Sequence, residues 1–427
     1  MKYLKKIIEE NRQGTPKGIY SVCSAHPLVI EAAMEHAKEE KTPLLIEATA
    51  NQVNQFGGYT GMRAEGFYDF VCAIALKVGF PLEHIILGGD HLGPVCWSGE
   101  NSSDAMDKAD DLIKEYVAAG FKKIHLDCSM ECADDNSPLS DEIIAMRAAR
   151  LCKIAEHEAL KRFGESDILY VIGTEVPPPG GTNEELIELE VTSPEHALRT
   201  LNVHKIAFKN QELNEAWSRV IGIVVQPGVE FSHTSIVQYQ PDKAAKLKGV
   251  ISSEDNIVFE AHSTDYQLPE NYKRLVEDHF AILKVGPQLT YAMREALYAL
   301  HQIEKYLVNQ DDQSNLYETC EREMMVSPKN WQKFYSGSKE EEKLLRHFSY
   351  SDRIRYYWPN KKVEEAVRSL IDNLSDRPIP LPLLSQYMPE QNMAVLEGKL
   401  KNKPKELIKA KIKTVLKHYS SACYRKH

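Results

Sequence analysis

Eight short apolar runs recur between residues 18 and 285, and each is followed by a longer stretch in which apolar residues return at helical intervals. The runs are Gly18–Val22, Leu44–Glu47, Ile85–Gly88, Lys123–Asp127, Leu169–Gly173, Val220–Val225, Ile257–Glu260 and Ala281–Val285. A strand covered on both faces reads as a near-continuous apolar run, so these predict a parallel sheet flanked by helices. Between them, stretch 104–119 sets Ala105, Ala109, Leu112, Ile113, Tyr116 and Val117 at helical spacing. Eight such βα units within about 300 residues predict a TIM (β/α)8 barrel. An open doubly wound sheet is the alternative, weakened by the lack of a G-x-G-x-x-G after the first run. The rhythm stops near residue 305, which divides the chain into a barrel, 1–305, and a C-terminal helical extension, 306–427. The extension holds an aromatic and basic motif, Ser351–Pro359, a proline-marked break, Pro378–Pro382, and a basic amphipathic stretch, 403–419. That last stretch is expected to pack on the barrel with its lysines in water. The aromatic motif is expected to pack on the barrel's outside rather than close its mouth.

Charge excludes one class of function. The chain carries 52 Lys+Arg against 62 Asp+Glu, a net charge of −10, and nucleic-acid binders need a basic stripe. No apolar run approaches the roughly 20 residues that span a bilayer. The charged start, Met1-Lys2-Tyr3-Leu4-Lys5-Lys6, lacks the apolar core of a signal peptide. A cytoplasmic setting is therefore expected, in which the 8 cysteines stay reduced, and no C-x-x-C pair marks a structural zinc site.

In a TIM barrel the chemistry sits at the C-terminal ends of the strands. Every predicted strand here ends in polar or ionisable residues. Cys23, Ser24 and His26 follow the first, and Glu47, Thr49 and the polar run 51–60 follow the second. Asp90 and His91 follow the third, Asp127, Cys128 and Ser129 the fourth, and Glu175 the fifth. Gln226, Glu230 and His233 follow the sixth, His262 and Asp265 the seventh, and Lys284 ends the eighth. A single strand-end His or Asp is most often a cap or a satisfied core group, but random loops seldom put such residues after every strand. His91, His233 and His262 form a three-imidazole ligand set for a catalytic divalent ion, zinc being the expected metal. His26 and His125 are competing ligands; His125, in mid-strand, is expected to face outward. Asp90 and Glu175 are the expected proton-transfer groups. Glu47, Asn51, Gln52, Asn54, Gln55, Asp127, Ser129, Asp265 and Lys284 are the expected hydroxyl-binding residues. Lys284 has a second reading, as the Schiff-base lysine of a metal-free aldolase.

Long segments carry a resemblance to a known family. They are Ser21–Pro27, Ile46–Gly61, Gly88–Pro94, Val225–Phe231, Glu260–Gln267 and Asp352–Pro359. They closely resemble the Z-type subunit of D-tagatose-1,6-bisphosphate aldolase, over essentially the whole chain. The resemblance implies a cytoplasmic protein of galactitol or N-acetylgalactosamine catabolism. It implies a non-catalytic role, supporting a separate class II aldolase subunit within an oligomer. The chain is more distantly similar to the class II aldolases themselves. There Asp90 and His91 match an acid and a metal ligand, His262 a later ligand and Glu175 the family carboxylate. The ligand between them is His233, with Gln226 or Glu230 aligning as well. One departure stands out: Ser263-Thr264-Asp265 replaces the glycine-rich phosphate nest, and an aspartate there repels phosphate.

Two functions follow. In one, the chain is an accessory subunit of an aldolase. In the other, it is itself a metal-dependent enzyme acting on a ketose or ketose 6-phosphate, cleaving C3–C4 and re-forming it as the 4-epimer. A kinase reading has no support, since no P-loop or glycine-rich phosphate cradle is present.

Overall fold

The computed structural model describes residues 1–173, 189–253 and 256–424. Eight parallel strands close into a barrel: β1 (Ile19–Val22), β2 (Leu44–Thr49), β3 (Ile85–Leu92), β4 (Lys123–Leu126), β5 (Leu169–Ile172), β6 (Val220–Val224), β7 (Val258–Ala261) and β8 (Phe280–Val285). Each pairs with its neighbours in sequence, and β1 closes on β8 with Ile19 opposite Ile282 and Val22 opposite Val285. The chain is thus a TIM barrel with C-terminal helices. A short antiparallel ribbon, Glu230–Phe231 with Ile236–Val237, follows β6.

The barrel interior has two zones, set by the period-two alternation of strand side chains. Near the strand starts, Ile19, Leu45, Ile86, Leu169, Ile221, Val258 and Ile282 form an apolar plug with Leu4, Ile7 and Ile8 of the helix Lys2–Arg12. Two residues further along, the same inward face becomes polar: Ser21, Glu47, Glu260 and Lys284. Lys123 lies among them with no exposed surface, its Nζ 2.7 Å from Glu47 Oε1 and 2.7 Å from Glu260 Oε2. Gly88 makes room for this layer, because a Cβ there would come within 2.4 Å of Glu47 Oε1.

The C-terminal helix Pro404–Cys423 lies against the helices Pro27–Glu40, Pro269–Glu277 and Pro287–Leu307. It buries Leu407, Ile408, Ile412, Leu416 and Tyr419. Its lysines are not all in water. Lys409 is buried and pairs with Glu31 and Glu35, and Lys413 pairs with Glu35 and Glu39. Helix Pro27–Glu40 presents these glutamates four residues apart on one face, so the basic stripe meets an acidic one.

Two measurements check this architecture. Lys123→Met takes one of two shared ammonium groups from the buried Glu47 and Glu260 carboxylates, leaving Lys284 to face both, and should cost about 3–5 kcal/mol, read from urea unfolding. Burial holds His204 and His347 down at about 4, against 6.5 for a free imidazole. Between those values the unfolded chain binds more protons, so stability rises with pH. The contribution is complete above pH 6.5 and lost as pH falls to 4, and His204→Gln with His347→Gln should flatten the dependence of the urea midpoint on pH.

Candidate active site

A cavity of about 140 Å³ opens at the C-terminal ends of the strands. Cys23, Thr49, Asn51, Gln52, Tyr59, Asp90, His91, Asp127, Ser129, His262, Ser263, Asp265 and Lys284 line it from the barrel, and Arg355 and Tyr356 from the C-terminal segment. Three of these, Asp90, His91 and His262, cluster with the fully buried His125, and the ligand atoms of the four all lie within 4.8 Å of one another.

A bulge in β3 brings Asp90 and His91 together. Strand alternation would send adjacent residues to opposite faces. Here the pairing with β4 slips between Gly89 and Leu92, and His91 takes a φ of +49°. The extra residue turns both side chains toward the cluster. Ser263 and Tyr266 after β7 also have positive φ, so backbone strain gathers around this cavity.

His91 and His262 are each held by one nitrogen and offer the other, while His125 is held at both. His91 Nδ1 lies 2.6 Å from Asp127 Oδ2, which leaves Nε2 inward. His262 Nε2 lies 3.0 Å from Glu260 Oε1, which leaves Nδ1 inward. His125 Nε2 donates to the Gly173 carbonyl at 2.8 Å, and its Nδ1 accepts the His91 backbone amide at 3.3 Å and lies 3.1 Å from Asp90 Oδ1. Such outer partners are what fix metal-binding histidines in a single tautomer. His91 Nε2 and His262 Nδ1 face each other 3.1 Å apart. Two nitrogens each about 2.0–2.1 Å from one tetrahedral ion stand at nearly that separation. The charge also fits: Glu47, Asp90, Asp127 and Glu260 outnumber Lys123 and Lys284, and a divalent ion offsets the difference. The residues present therefore fit a divalent metal, with no identity singled out.

Electrostatics follow from this crowding. Burial opposes charge on Asp90, but Lys284, His91 and His262 outweigh it and hold the carboxylate well below its usual range. Burial likewise opposes charge on His91, but Asp90 and Asp127 raise it to about 9. For His262 burial wins and lowers it to about 4. Lys284 Nζ sits 2.9 Å from Asp90 Oδ1 and 3.7 Å from Glu260 Oε1, and also pairs with Glu47. Those carboxylates outweigh its burial and push the ammonium well above its usual range, the opposite of what a Schiff-base nucleophile requires.

The structure places the other sequence candidates unevenly. Asn51, Gln52, Asp127, Ser129, Asp265 and Lys284 line the cavity. Glu47 lies beneath it with no exposed surface, its carboxylate taken by Ser21, Lys123 and Lys284. Asn54 is used within its own loop, bonding the Ala50 carbonyl and the Phe56 and Gly58 amides, and Gln55 reaches the Lys108 carbonyl. Glu175 lies outside the described residues.

His233 is not brought to the cluster. The ribbon after β6 carries it to the C-terminal segment, where Nδ1 meets Ser351 Oγ at 3.0 Å and Nε2 the Phe334 carbonyl at 2.8 Å. Gln226 and Glu230 do not reach the cluster either; their carbonyl and carboxylate oxygens accept nearby backbone amides. The third imidazole is His125, which faces inward and not outward. The signal was parity: His125 stands two residues from both Lys123 and Asp127 and shares their side of the chain.

The aromatic motif of the extension also departs from expectation. Asp352 accepts from Thr290 Oγ1 at 2.6 Å and pairs with the buried Arg294 at 3.4 Å, anchoring the motif on helix Pro287–Leu307. From that anchor Arg355 and Tyr356 reach the cavity, and Tyr356 meets Tyr59 edge-on with ring centroids 4.8 Å apart. Asp265, in turn, accepts the Gly286 and Gln288 amides at 3.1 and 2.8 Å. Its carboxylate thus sits on the N-terminal turn of helix Pro287–Leu307, a place that favours an anion.

Residues 4–424 match the family described as D-tagatose-1,6-bisphosphate aldolase subunit GatZ/KbaZ-like. A solved structure described as a probable tagatose 6 phosphate kinase from Sinorhizobium meliloti 1021 is 48% identical, covers 95% of this chain and 100% of its own, and superposes with a TM-score of 0.88. Fructose-bisphosphate aldolase from Campylobacter jejuni is 16% identical over 87% of this chain and 91% of its own, with a TM-score of 0.44. The YdjI aldolase from Escherichia coli K12 is 13% identical over 84% of this chain and 94% of its own, with a TM-score of 0.42.

If the inward nitrogens hold an ion, elemental analysis of the purified chain should find a divalent metal that His91→Ala and His262→Ala lose and His233→Ala keeps. Asp127→Asn should weaken metal binding roughly 10- to 100-fold, since it frees the His91 ring.

Proposed function

Because the chain belongs to the GatZ/KbaZ-like family of D-tagatose-1,6-bisphosphate aldolase subunits, we propose that it carries its own metal-dependent site for retro-aldol chemistry and acts as a ketose or ketose-6-phosphate 4-epimerase. One observation carries this reading: three imidazoles with their outer nitrogens tied back converge with a buried, ionised aspartate on a cavity. A purely structural subunit has no use for such a centre.

His91, His125 and His262 are the proposed ligands. A divalent ion held there supplies polarisation of the C2 carbonyl and compensates the negative charge of an enediolate. The chain's own groups do the rest. Asp90, which lines the cavity beside the imidazoles, is the proposed group that takes the proton from the C4 hydroxyl. The C3–C4 bond breaks, its electron pair moves into the C2–C3 enediolate, and C4 becomes an aldehyde carbon. After rotation of the aldehyde, C3 attacks its other face and Asp90 returns the proton to the new C4 oxygen. Glu175 is the proposed second proton-transfer group. Thr49, Asn51, Gln52 and Ser129, which line the cavity, are the proposed hydroxyl-binding residues, and the Tyr59 and Tyr356 rings in its wall are proposed to shield the reactive aldehyde from water.

The second reading is support of a class II aldolase partner, within galactitol or N-acetylgalactosamine catabolism and in the cytoplasm. The family's own description as an aldolase subunit favours it. The two readings are compatible, since the cavity is built from this chain alone. A phosphoryl-transfer reading has no phosphate loop to stand on.

The deciding experiment incubates the metal-loaded chain, without any partner, with fructose or tagatose and their 6-phosphates and follows the epimers by NMR. Interconversion should occur, stop with a chelator, and slow roughly 10²- to 10⁴-fold in Asp90→Asn. No interconversion by the metal-loaded chain would leave the accessory role alone.

A further inference from the structure

The C-terminal helix Pro404–Cys423 reaches the working end of the barrel through the Tyr419 hydroxyl. Tyr419 is fully buried, and its hydroxyl lies 3.0 Å from Thr264 Oγ1. Thr264, also without exposed surface, gives its single hydroxyl proton to the Lys284 carbonyl at 2.6 Å. The Thr264 oxygen is then left to accept, so the Tyr419 hydroxyl is the donor. One joint thus ties three segments: the loop after β7, the end of β8 and the last helix of the extension.

That joint stands beside the imidazole cluster. Thr264 follows His262 by two residues and precedes Asp265 by one. Ser263 and Tyr266 on either side of it hold φ of +51° and +64°, conformations that persist only where the surroundings fix them. On the β8 side, Lys284 sends its ammonium to Asp90 and Glu260, and Glu260 holds His262 Nε2. A shift at Thr264 is therefore passed to His262 along the loop and to Lys284 through its carbonyl. Tyr419 is itself well fixed. Its ring lies 4.2 Å from that of Tyr272, centroid to centroid, and the adjacent Ser420 meets His36 Nε2 at 3.0 Å.

We propose that Tyr419 is a positioning residue for the imidazole cluster, a role that rests on the metal reading above. Acting through Thr264, it fixes the direction of His262 Nδ1 and the place of the Lys284 ammonium. Tyr419 is absent from the cavity's lining, so it works by placing other groups. The extension thereby supports the site from behind, as Arg355 and Tyr356 line it from the front.

Cobalt(II), whose visible absorption reports ligand geometry, is the probe, added to the full chain. Tyr419→Phe removes the hydroxyl and keeps the ring on Tyr272. It should weaken cobalt(II) binding roughly 3- to 10-fold, the worth of one hydrogen bond, and shift the absorption bands. Thr264→Val loses both bonds and should weaken binding further, and in that background Tyr419→Phe should add nothing. Thr264→Ser keeps the hydroxyl and should bind as the unaltered chain does. A lower urea midpoint in Tyr419→Phe with cobalt(II) affinity and spectrum unchanged would make the residue merely structural and overturn the proposal. Independent, multiplying effects of the two substitutions would also overturn it, because Tyr419 would then not act through Thr264. An unaltered chain that binds no cobalt(II) would overturn the metal reading, and nitrogen NMR of the histidine rings would then decide. A His262 signal displaced in Tyr419→Phe would support the positioning role, and an unmoved one would overturn it.

Discussion

Two buried ammonium groups hold the barrel's upper interior together. Lys123 bridges Glu47 and Glu260, and Lys284 gathers Glu47, Asp90 and Glu260. Taking such ions out of water costs several kcal/mol each, and the cost is offset only when every partner is present. The network therefore behaves as one unit. It also reaches the chemistry directly: Glu260 fixes the His262 ring and Asp90 stands against His125. Glu47, Asp90 and Glu260 have the arrangement of a second cation site, and the Lys284 ammonium lies among them. The barrel thus places a fixed organic cation beneath the place where a metal ion fits.

This arrangement explains why the cluster can be both largely buried and charged. Its carboxylates are buried, yet each has a cation or an N–H to face. Asp127 takes His91 Nδ1 and the Ser129 hydroxyl at 2.9 Å, so its charge orients an imidazole rather than standing free. The same logic governs Asp265, which spends its charge on two backbone amides. An aspartate that sequence alone reads as a repellent of phosphate is, in the fold, an internal substitute for it.

The extension completes the site from outside the barrel. Asp352 and Arg294 form a buried ion pair at the barrel's edge, and the short helical turn after it delivers Arg355 and Tyr356 to the mouth. His233, positioned by its sequence as a ligand, instead secures this segment through Ser351 and Phe334. The residue is part of the joint between barrel and extension.

Much of this was legible in the chain. Near-continuous apolar runs of strand length, separated by helical periodicity, determine a parallel barrel, and the polar residues after each run locate its working end. Asp90, His91 and His262 followed from that rule because strand-end position is a local property. What the sequence could not determine was which strand-end residues meet. His125 entered the cluster through the inward parity of β4 and the bulge in β3, and a bulge shifts parity in a way the residue pattern does not record. Arg355 entered because a segment more than 60 residues past β8 folds back across the mouth. Local periodicity fixes which face a side chain takes; only long-range packing decides what that face meets.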